Sequence, residues 1–221
     1  MENFGSLILP LLLSALVGYL LGSISFAILL TKAFAHEDVR AHGSGNAGAT
    51  NVLRVAGIKA SALTFLFDFC KCVASVLVGY FLVKHACVAN GVDPEMARLG
   101  MYAAGFCCMI GHMYPLYFGF RGGKGILSSA ALAIMMDWRI FVIGFSLFLI
   151  IVFATHYVSL GSILAATAYA VLFVIFFPGQ PWIWSIAIAM AVLAIFMHRS
   201  NIARLLHGTE TKTYLLKSKK K

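Results

Sequence analysis

Long apolar runs constrain this chain more than any other feature. They cover residues 7–30, 60–83, 99–118, 126–136, 140–155, 163–177 and 183–197, with polar loops between them. In lipid, backbone N–H and C=O groups must be satisfied within the spanning segment, which favours helices. About 20 apolar residues cross a hydrocarbon core of about 30 Å. The chain is 61% hydrophobic and 11% charged, against about 45–50% and about 25% in a soluble domain. The expected fold is therefore all-α: a polytopic integral membrane protein with about seven transmembrane helices, in one membrane-embedded domain over residues 1–221. Residues 126–136 fall short of a full crossing at about 1.5 Å per residue. They form either a short buried helix shielded by neighbours or a re-entrant half.

The formal net charge is +9, but the basic residues are spread over loops, a pattern that orients a membrane protein and attracts anionic lipid rather than nucleic acid. With the N-terminus outside, Lys32, Arg40, Arg54, Lys59, Arg121, Lys124, Arg199, Arg204, Lys212, Lys217 and Lys219, Lys220 and Lys221 fall in the cytoplasm. Only Lys84, Arg98 and Arg139 fall outside, with Lys71 inside the bilayer. The positive-inside rule selects this orientation and a cytoplasmic C-terminus. The opening MENFG has no basic region before the first apolar run, so that run is expected to be retained rather than cleaved. The odd count of five cysteines, four in apolar runs, reads as apolar filling, not a disulfide framework or a zinc site.

The same orientation gathers four polar clusters on the cytoplasmic side. RAHGSGNAGATNVLR (residues 40–54) is the longest glycine-rich segment. Its glycines let backbone N–H groups converge on an anion, with Ser, Thr and Asn donors and an arginine fork at each end. FRGGKG (120–125) places a Gly–Gly turn beside Arg121 and Lys124, a second oxyanion cradle; Phe118 and Gly125 exclude a nucleotide P-loop. In HRSNIARLLHGTE (198–210), His198 and Asn201 stand one helical turn apart, and such a pair can orient a hydroxyl and accept its proton. HYVSLGS (156–162) offers Ser159 and Ser162 as donors. The alternatives are a solvated turn-rich loop for the first cluster and a lipid-anchoring basic loop for the second. Asp68 and Lys71, three residues apart inside an apolar run, share a helix face. They are either functional or a pair that neutralises itself and ties helices together. His112, just before Pro115, reads as a loop-orienting residue.

Two anion cradles and a hydroxyl-orienting pair suit a transferase with two phosphorylated substrates, one of them lipidic. The chain also resembles a known family, the bacterial acyl-phosphate:glycerol-3-phosphate acyltransferases (PlsY). The resemblance rests on GSISF (22–26), GSGNAGATNVLR (43–54), DFCK (68–71), GHMYPLYFGFRGGKG (111–125), VSLGSI (158–163) and HRSNIARLLHGTE (198–210), in family order over nearly the whole chain. Departures are small: Ser25 where proline is common, softening a helix kink, Arg121 where lysine is usual, and Cys72 where glycine is frequent. The resemblance implies a multi-pass enzyme of the bacterial cytoplasmic (inner) membrane with its active site facing the cytoplasm. It implies acyl transfer from acyl phosphate to the 1-hydroxyl of glycerol 3-phosphate, giving lysophosphatidic acid and phosphate, the first step toward bacterial phospholipids. By the same resemblance Ser44, Arg54, Lys124, Ser162, His198 and Asn201 surround glycerol 3-phosphate. Asn46, Gly48, Thr50, Asn51, Gly122 and Gly123 hold the acyl phosphate. Asn201, His198 and Lys124 carry the catalysis, with His198 or a substrate phosphate taking the proton. No cofactor or metal is implied. Membrane lipid is the remaining partner, and transient contact with a soluble enzyme that makes acyl phosphate fits the scheme.

Two other classes compete. The acyl-CoA type of glycerolipid acyltransferase carries H-x-x-x-x-D, and no histidine here has an aspartate at that offset. An organic-phosphate transporter or exchanger fits broken helices and polar loops, but transporter sites lie near the midplane, where only Asp68 and Lys71 are charged.

Overall fold

The computed structural model describes residues 4–213, so Lys217 and the Lys219, Lys220 and Lys221 tail lie outside the described residues. All regular secondary structure among these residues is helical, with no strand among them. They group into two compact units, Met1–Asp137 and Trp138–Lys221. The first unit holds α1 (Ile8–Gly22), α2 (Phe26–Ala35), α3 (Ala49–Asn90), α4 (Ala97–Met113) and α5 (Ile126–Met136). The second holds α6 (Trp138–Thr155), α7 (Val158–Phe176), α8 (Pro181–Met197) and α9 (Arg199–Leu206).

Every expected apolar run is found on a helix, but two depart from simple rods. The first run breaks between α1 and α2. The Ser23 hydroxyl donates back to the Tyr19 carbonyl at 2.8 Å, a local bond that competes with the helix ladder. Ser25 then starts α2 in extended conformation. The second run extends into α3, a 42-residue helix kinked at Gly57, whose φ of 81° and ψ of −176° suit glycine alone. Ser61 ties across that kink by donating to the Ala49 carbonyl at 2.9 Å.

Four stretches are long and apolar enough to cross a membrane: Phe4–Ala35, Ala49–Asn90, Trp138–Thr155 and Val158–Phe176. Pro181–Met197 with Arg199–Leu206 makes a fifth, bent by 57°. Helix α4 has 17 residues and α5 has 11, so α5 is about 17 Å long.

Close helix contact builds the first unit. Gly18 and Gly22 of α1 face Ala104 and Cys108 of α4, and a β-carbon at either glycine would strike the α4 backbone. Without a large hydrophobic driving force in lipid, such small-residue contact is what lets helices associate. All five cysteines are free.

Gly22→Leu should therefore disrupt the α1–α4 contact, since a backbone neighbour cannot yield as a side chain can. Overpacking costs about 1–3 kcal/mol or more, so thermal unfolding in detergent should shift clearly downward. Gly144→Ala in α6, with nothing within 4 Å, should leave the midpoint unchanged or raise it. Equal behaviour of the two variants would remove close packing as the basis of the unit.

Candidate functional site

The two predicted cradles are the α2–α3 and α4–α5 loops of the first unit. The α2–α3 loop is not merely solvated. Val39 and Ala47 are fully buried and pack with Ala27, Ile28, Val52 and Ala60. Asn51 braces it from within: its Oδ1 accepts the Ser44 N–H, and its Nδ2 donates to the Val39 and His42 carbonyls, each at 2.9 Å. Asn51 is 1% exposed and both its amide protons are used. The expectation that Asn51 holds a substrate is corrected: it shapes the cradle rather than lining it. Arg40 is likewise spent internally. It pairs with Asp38 at 2.8 Å and donates to the Phe118 carbonyl at 2.6 Å, which clamps this loop to the next. The hydrogen bond from Arg40 outweighs burial and holds the Asp38 carboxyl at about 2.

The remaining residues of this cradle surround the start of α3. Gly48 is its N-cap, in extended conformation (φ −150°, ψ 160°), and no side chain caps the helix. A helix N-terminus left uncapped presents N–H groups and a positive dipole end to an anion. Asn46, Gly48 and Thr50 are half-buried here, while Ser44 and Arg54 are exposed. A side chain at position 48 would crowd Asn46 Nδ2, at 2.9 Å.

The α4–α5 loop also ends in a helix with no side-chain cap: Gly125, in the left-handed region at φ 79°, precedes α5. Lys124 beside it is half-buried and Arg121 is exposed. The Gly–Gly turn differs from expectation in one respect. The Gly122 N–H donates to the Met113 carbonyl at 3.1 Å and the Gly123 N–H to the His112 carbonyl at 3.0 Å. These N–H groups cap α4 and so do not point at an oxyanion; the correction leaves Gly122 and Gly123 the role of close approach. A β-carbon on Gly123 would strike His112 Nε2 and come within 2.8 Å of the Ala47 carbonyl, so the two cradles touch at this glycine.

Asp68 and Lys71 form the ion pair their spacing predicted, 2.7 Å apart and 2% and 4% exposed. The ammonium also donates to the Ile24 carbonyl at 2.6 Å. It therefore ties α3 to the break between α1 and α2, one of the two roles considered for it.

In the second unit the organising residue is one that sequence reasoning passed over. Glu210 accepts from Ser159 Oγ at 2.8 Å, Asn201 Nδ2 at 2.7 Å and Arg204 Nε at 2.7 Å. Burial alone would raise its carboxyl, but the bonds from Asn201, Ser159 and Arg204 and the charge of Arg204 win, and the net shift is downward. The available signal was an acid just beyond Gly208, whose left-handed φ of 69° turns the chain back after α9. Asn201 and Ser162 are each 5% exposed, and Ser162 lies one turn beyond Ser159 on α7. His198, 3% exposed, donates from Nδ1 to the Ala194 carbonyl at 2.7 Å. A neutral ring held this way carries its acceptor lone pair on Nε2. Among the described residues no group of three His, Cys, Asp or Glu side chains could hold a metal.

Glu210→Gln keeps an acceptor for Asn201 but loses the charge facing Arg204. Hydrogen bonds to a charged group are worth about 1.5–3 kcal/mol, so this variant should unfold earlier in detergent near neutral pH. Because the Glu210 carboxyl is depressed from its usual 4.5, its contribution is complete above that value. It is lost as pH falls through the lowered one. The gap between wild type and Glu210→Gln should therefore narrow on acidification to about pH 3, and a constant gap would remove the charge from the argument.

Residues 12–208 match the family model described as glycerol-3-phosphate acyltransferase. A glycerol-3-phosphate acyltransferase of Thermoanaerobacter pseudethanolicus is 41% identical over 200 residues, covering 90% of this chain and 94% of that one. One from Shouchella clausii is 41% identical over 211 residues, covering 93% and 97%. The crystal structure of PlsY, an integral membrane glycerol 3-phosphate acyltransferase, in its glycerol 3-phosphate form matches with a TM-score of 0.78. Identity is 36%, and the match covers 93% of this chain and 96% of that one. Its lysophosphatidic acid form matches with a TM-score of 0.75, 35% identity and the same coverage. This chain belongs to the glycerol-3-phosphate acyltransferase family, as an integral membrane member.

Proposed function

We propose that the chain transfers a fatty acyl group from acyl phosphate to the 1-hydroxyl of glycerol 3-phosphate, as one acyltransferase domain. The products are lysophosphatidic acid and inorganic phosphate. The observation that carries this reading is the meeting of two glycine loops at Gly123 and Ala47. Each leads into a helix N-terminus that no side chain caps, and Lys124 stands beside the second. Relatives named for glycerol 3-phosphate, and the crystal forms with that substrate and with lysophosphatidic acid, supply the chemistry.

Acyl phosphate is a mixed anhydride and already activated, so no covalent enzyme intermediate is required. The glycerol oxygen forms a bond to the acyl carbon, the carbon–oxygen bond to phosphate breaks, and phosphate leaves with the electron pair. The hydroxyl proton passes to His198 Nε2 or to a substrate phosphate. Asn201, anchored through Nδ2 on Glu210, orients the hydroxyl. Ser44, Arg54, Lys124 and Ser162 take the glycerol 3-phosphate. Asn46, Gly48 and Thr50, with Gly122 and Gly123 allowing close approach, take the acyl phosphate. Neutralising two mutually repelling phosphates and aligning hydroxyl with carbonyl is the main catalytic work. The same reading places the protein in the bacterial cytoplasmic membrane, N-terminus outside and site facing the cytoplasm, supplied by a soluble acyl-phosphate-forming enzyme.

Palmitoyl phosphate should acylate labelled glycerol 3-phosphate in detergent, without a gradient or added metal, and palmitoyl-CoA should not. The phosphate leaving group gains charge as the anhydride breaks, a stabilisation that a thioester forgoes. Comparable turnover of both donors would overturn the donor assignment. Glycerol 3-phosphate uptake into vesicles without acylation would favour transport instead. Lys124→Ala should lower kcat/KM by at least roughly tenfold with folding intact. For orientation, single cysteines in a cysteine-free background are expected to label at Arg121 from the cytoplasm and at Glu95 from outside. Labelling of both from one side would reverse that assignment.

A further inference from the structure

The α4–α5 loop poses a donor problem. Its Gly122 and Gly123 N–H groups are used on the carbonyls of α4, yet the loop is the second anion cradle. A further donor lies directly beneath it. His112 belongs to the last turn of α4 and is 7% exposed. Its Nε2 fills the space where a side chain on Gly123 would stand, next to the Ala47 carbonyl. Among the described residues Nε2 meets no hydrogen-bond partner.

The state of that nitrogen follows from what holds the other one. The ammonium of Lys71 has three protons and no lone pair. One anion and two hydrogen-bonding partners surround it: Asp68 Oδ1 as an ion pair at 2.7 Å, the Ile24 carbonyl at 2.6 Å and His112 Nδ1 at 3.3 Å. Facing a group that can only donate, Nδ1 must accept. Asp68 Oδ1 is 3.8 Å from Nδ1, too far to take a proton from it. The ring is therefore neutral, with its proton on Nε2. Asp68, Lys71 and His112 are all buried.

We propose that Asp68 and Lys71 act as a buried tautomer lock on His112, and that His112 Nε2–H is a substrate-binding donor for the acyl phosphate head in the α4–α5 loop. His112 then touches substrate, and Lys71 and Asp68 are positioning residues that act through it. The proposal rests on the reading that this loop receives acyl phosphate. It assigns a function to the intramembrane pair: an ion pair whose neutralisation alone was needed would not have to reach a histidine.

Two measurements test it. The first uses the wild-type protein in detergent with 15N-labelled histidine, and His112→Asn to assign the resonance. His112 should be the neutral Nε2–H tautomer, and inorganic phosphate, against chloride at matched ionic strength, should shift its Nε2 signal. A ring protonated on Nδ1, or on both nitrogens, overturns the lock. A signal indifferent to phosphate overturns the donor. Lys71→Met should convert the single tautomer to a mixture.

The second measurement is kinetic. His112→Phe should raise the KM for palmitoyl phosphate by roughly tenfold or more, with the KM for glycerol 3-phosphate within about twofold. Asp68→Asn/Lys71→Met removes the pair without stranding a buried charge and should move the same KM in the same direction. Adding His112→Phe to it should cause no further loss, because residues acting through one another are not additive. Equal changes in both KM values, or full additivity, would refute the proposal. Wild-type protein inactive with palmitoyl phosphate would instead refute the donor assignment. In that case the histidine spectra still decide this inference, and they also decide it if the variants fail to fold.

Discussion

The ammonium of Lys71 lies inside an apolar helix with 4% of its side chain exposed, and most of the first unit is arranged to make that tolerable. An ion taken out of water costs several kcal/mol unless its hydrogen-bonding capacity is matched. Here the match comes from three directions: Asp68 on its own helix, a backbone carbonyl at the break between α1 and α2, and the ring of His112 on α4. Each partner is itself awkward in lipid. The Ile24 carbonyl is orphaned by the break, the carboxylate is buried, and the imidazole stands at a helix end. Placed together, the ammonium and the carboxylate neutralise each other and the ammonium donates to the carbonyl and the ring, while neither Asp68 oxygen receives a hydrogen bond. The break between α1 and α2, the closeness of α1 to α4 through Gly18 and Gly22, and the setting of the α4–α5 loop are thus linked through one charge.

The second unit uses the same logic with the sign reversed. Glu210 is an anion ringed by three donors from α7 and α9, where Lys71 is a cation ringed by one anion and two hydrogen-bonding partners. Each hub also holds a side chain of the proposed chemistry: His112 at Lys71, Asn201 at Glu210. The two histidines are also held in opposite senses. His198 is fixed by donating from Nδ1 to a carbonyl, which leaves Nε2 as an acceptor. His112 is fixed by accepting at Nδ1, which leaves Nε2 as a donor.

The helices were legible in the sequence because apolar runs in lipid have few alternatives to helix. The glycine-rich loops were legible as anion cradles because their residue types report what the backbone can do. The i, i+3 spacing of Asp68 and Lys71 was enough to predict their pairing. What could not be read was the allocation of each polar atom. Asn51, Arg40, Gly122 and Gly123 have the right chemistry for phosphate, and the fold spends that chemistry on Ser44, Asp38, Met113 and His112. Composition shows how many donors a loop holds but not how many its neighbours consume. Glu210 was missed for the converse reason. Its importance lies in three partners at sequence distances of 51, 9 and 6, and no local pattern announces that convergence.

This allocation bears on how such a loop can bind an anion at all. The last carbonyls of a helix carry partial negative charge, and α4 ends at the second cradle. Uncapped, those carbonyls would repel a phosphate. The Gly122 and Gly123 N–H groups cancel them, which removes a repulsion but adds no attraction of their own. Attraction then has to come from the N-terminus of α5, from Lys124 and from a donor beneath the turn. A glycine at position 123 is required by this arrangement on steric grounds, since any side chain would occupy the place of His112 Nε2. The glycines of the turn thus serve two ends at once. Their N–H groups quiet one helix terminus, and their missing side chains let a histidine held by a buried ion pair reach the surface where the anion would sit.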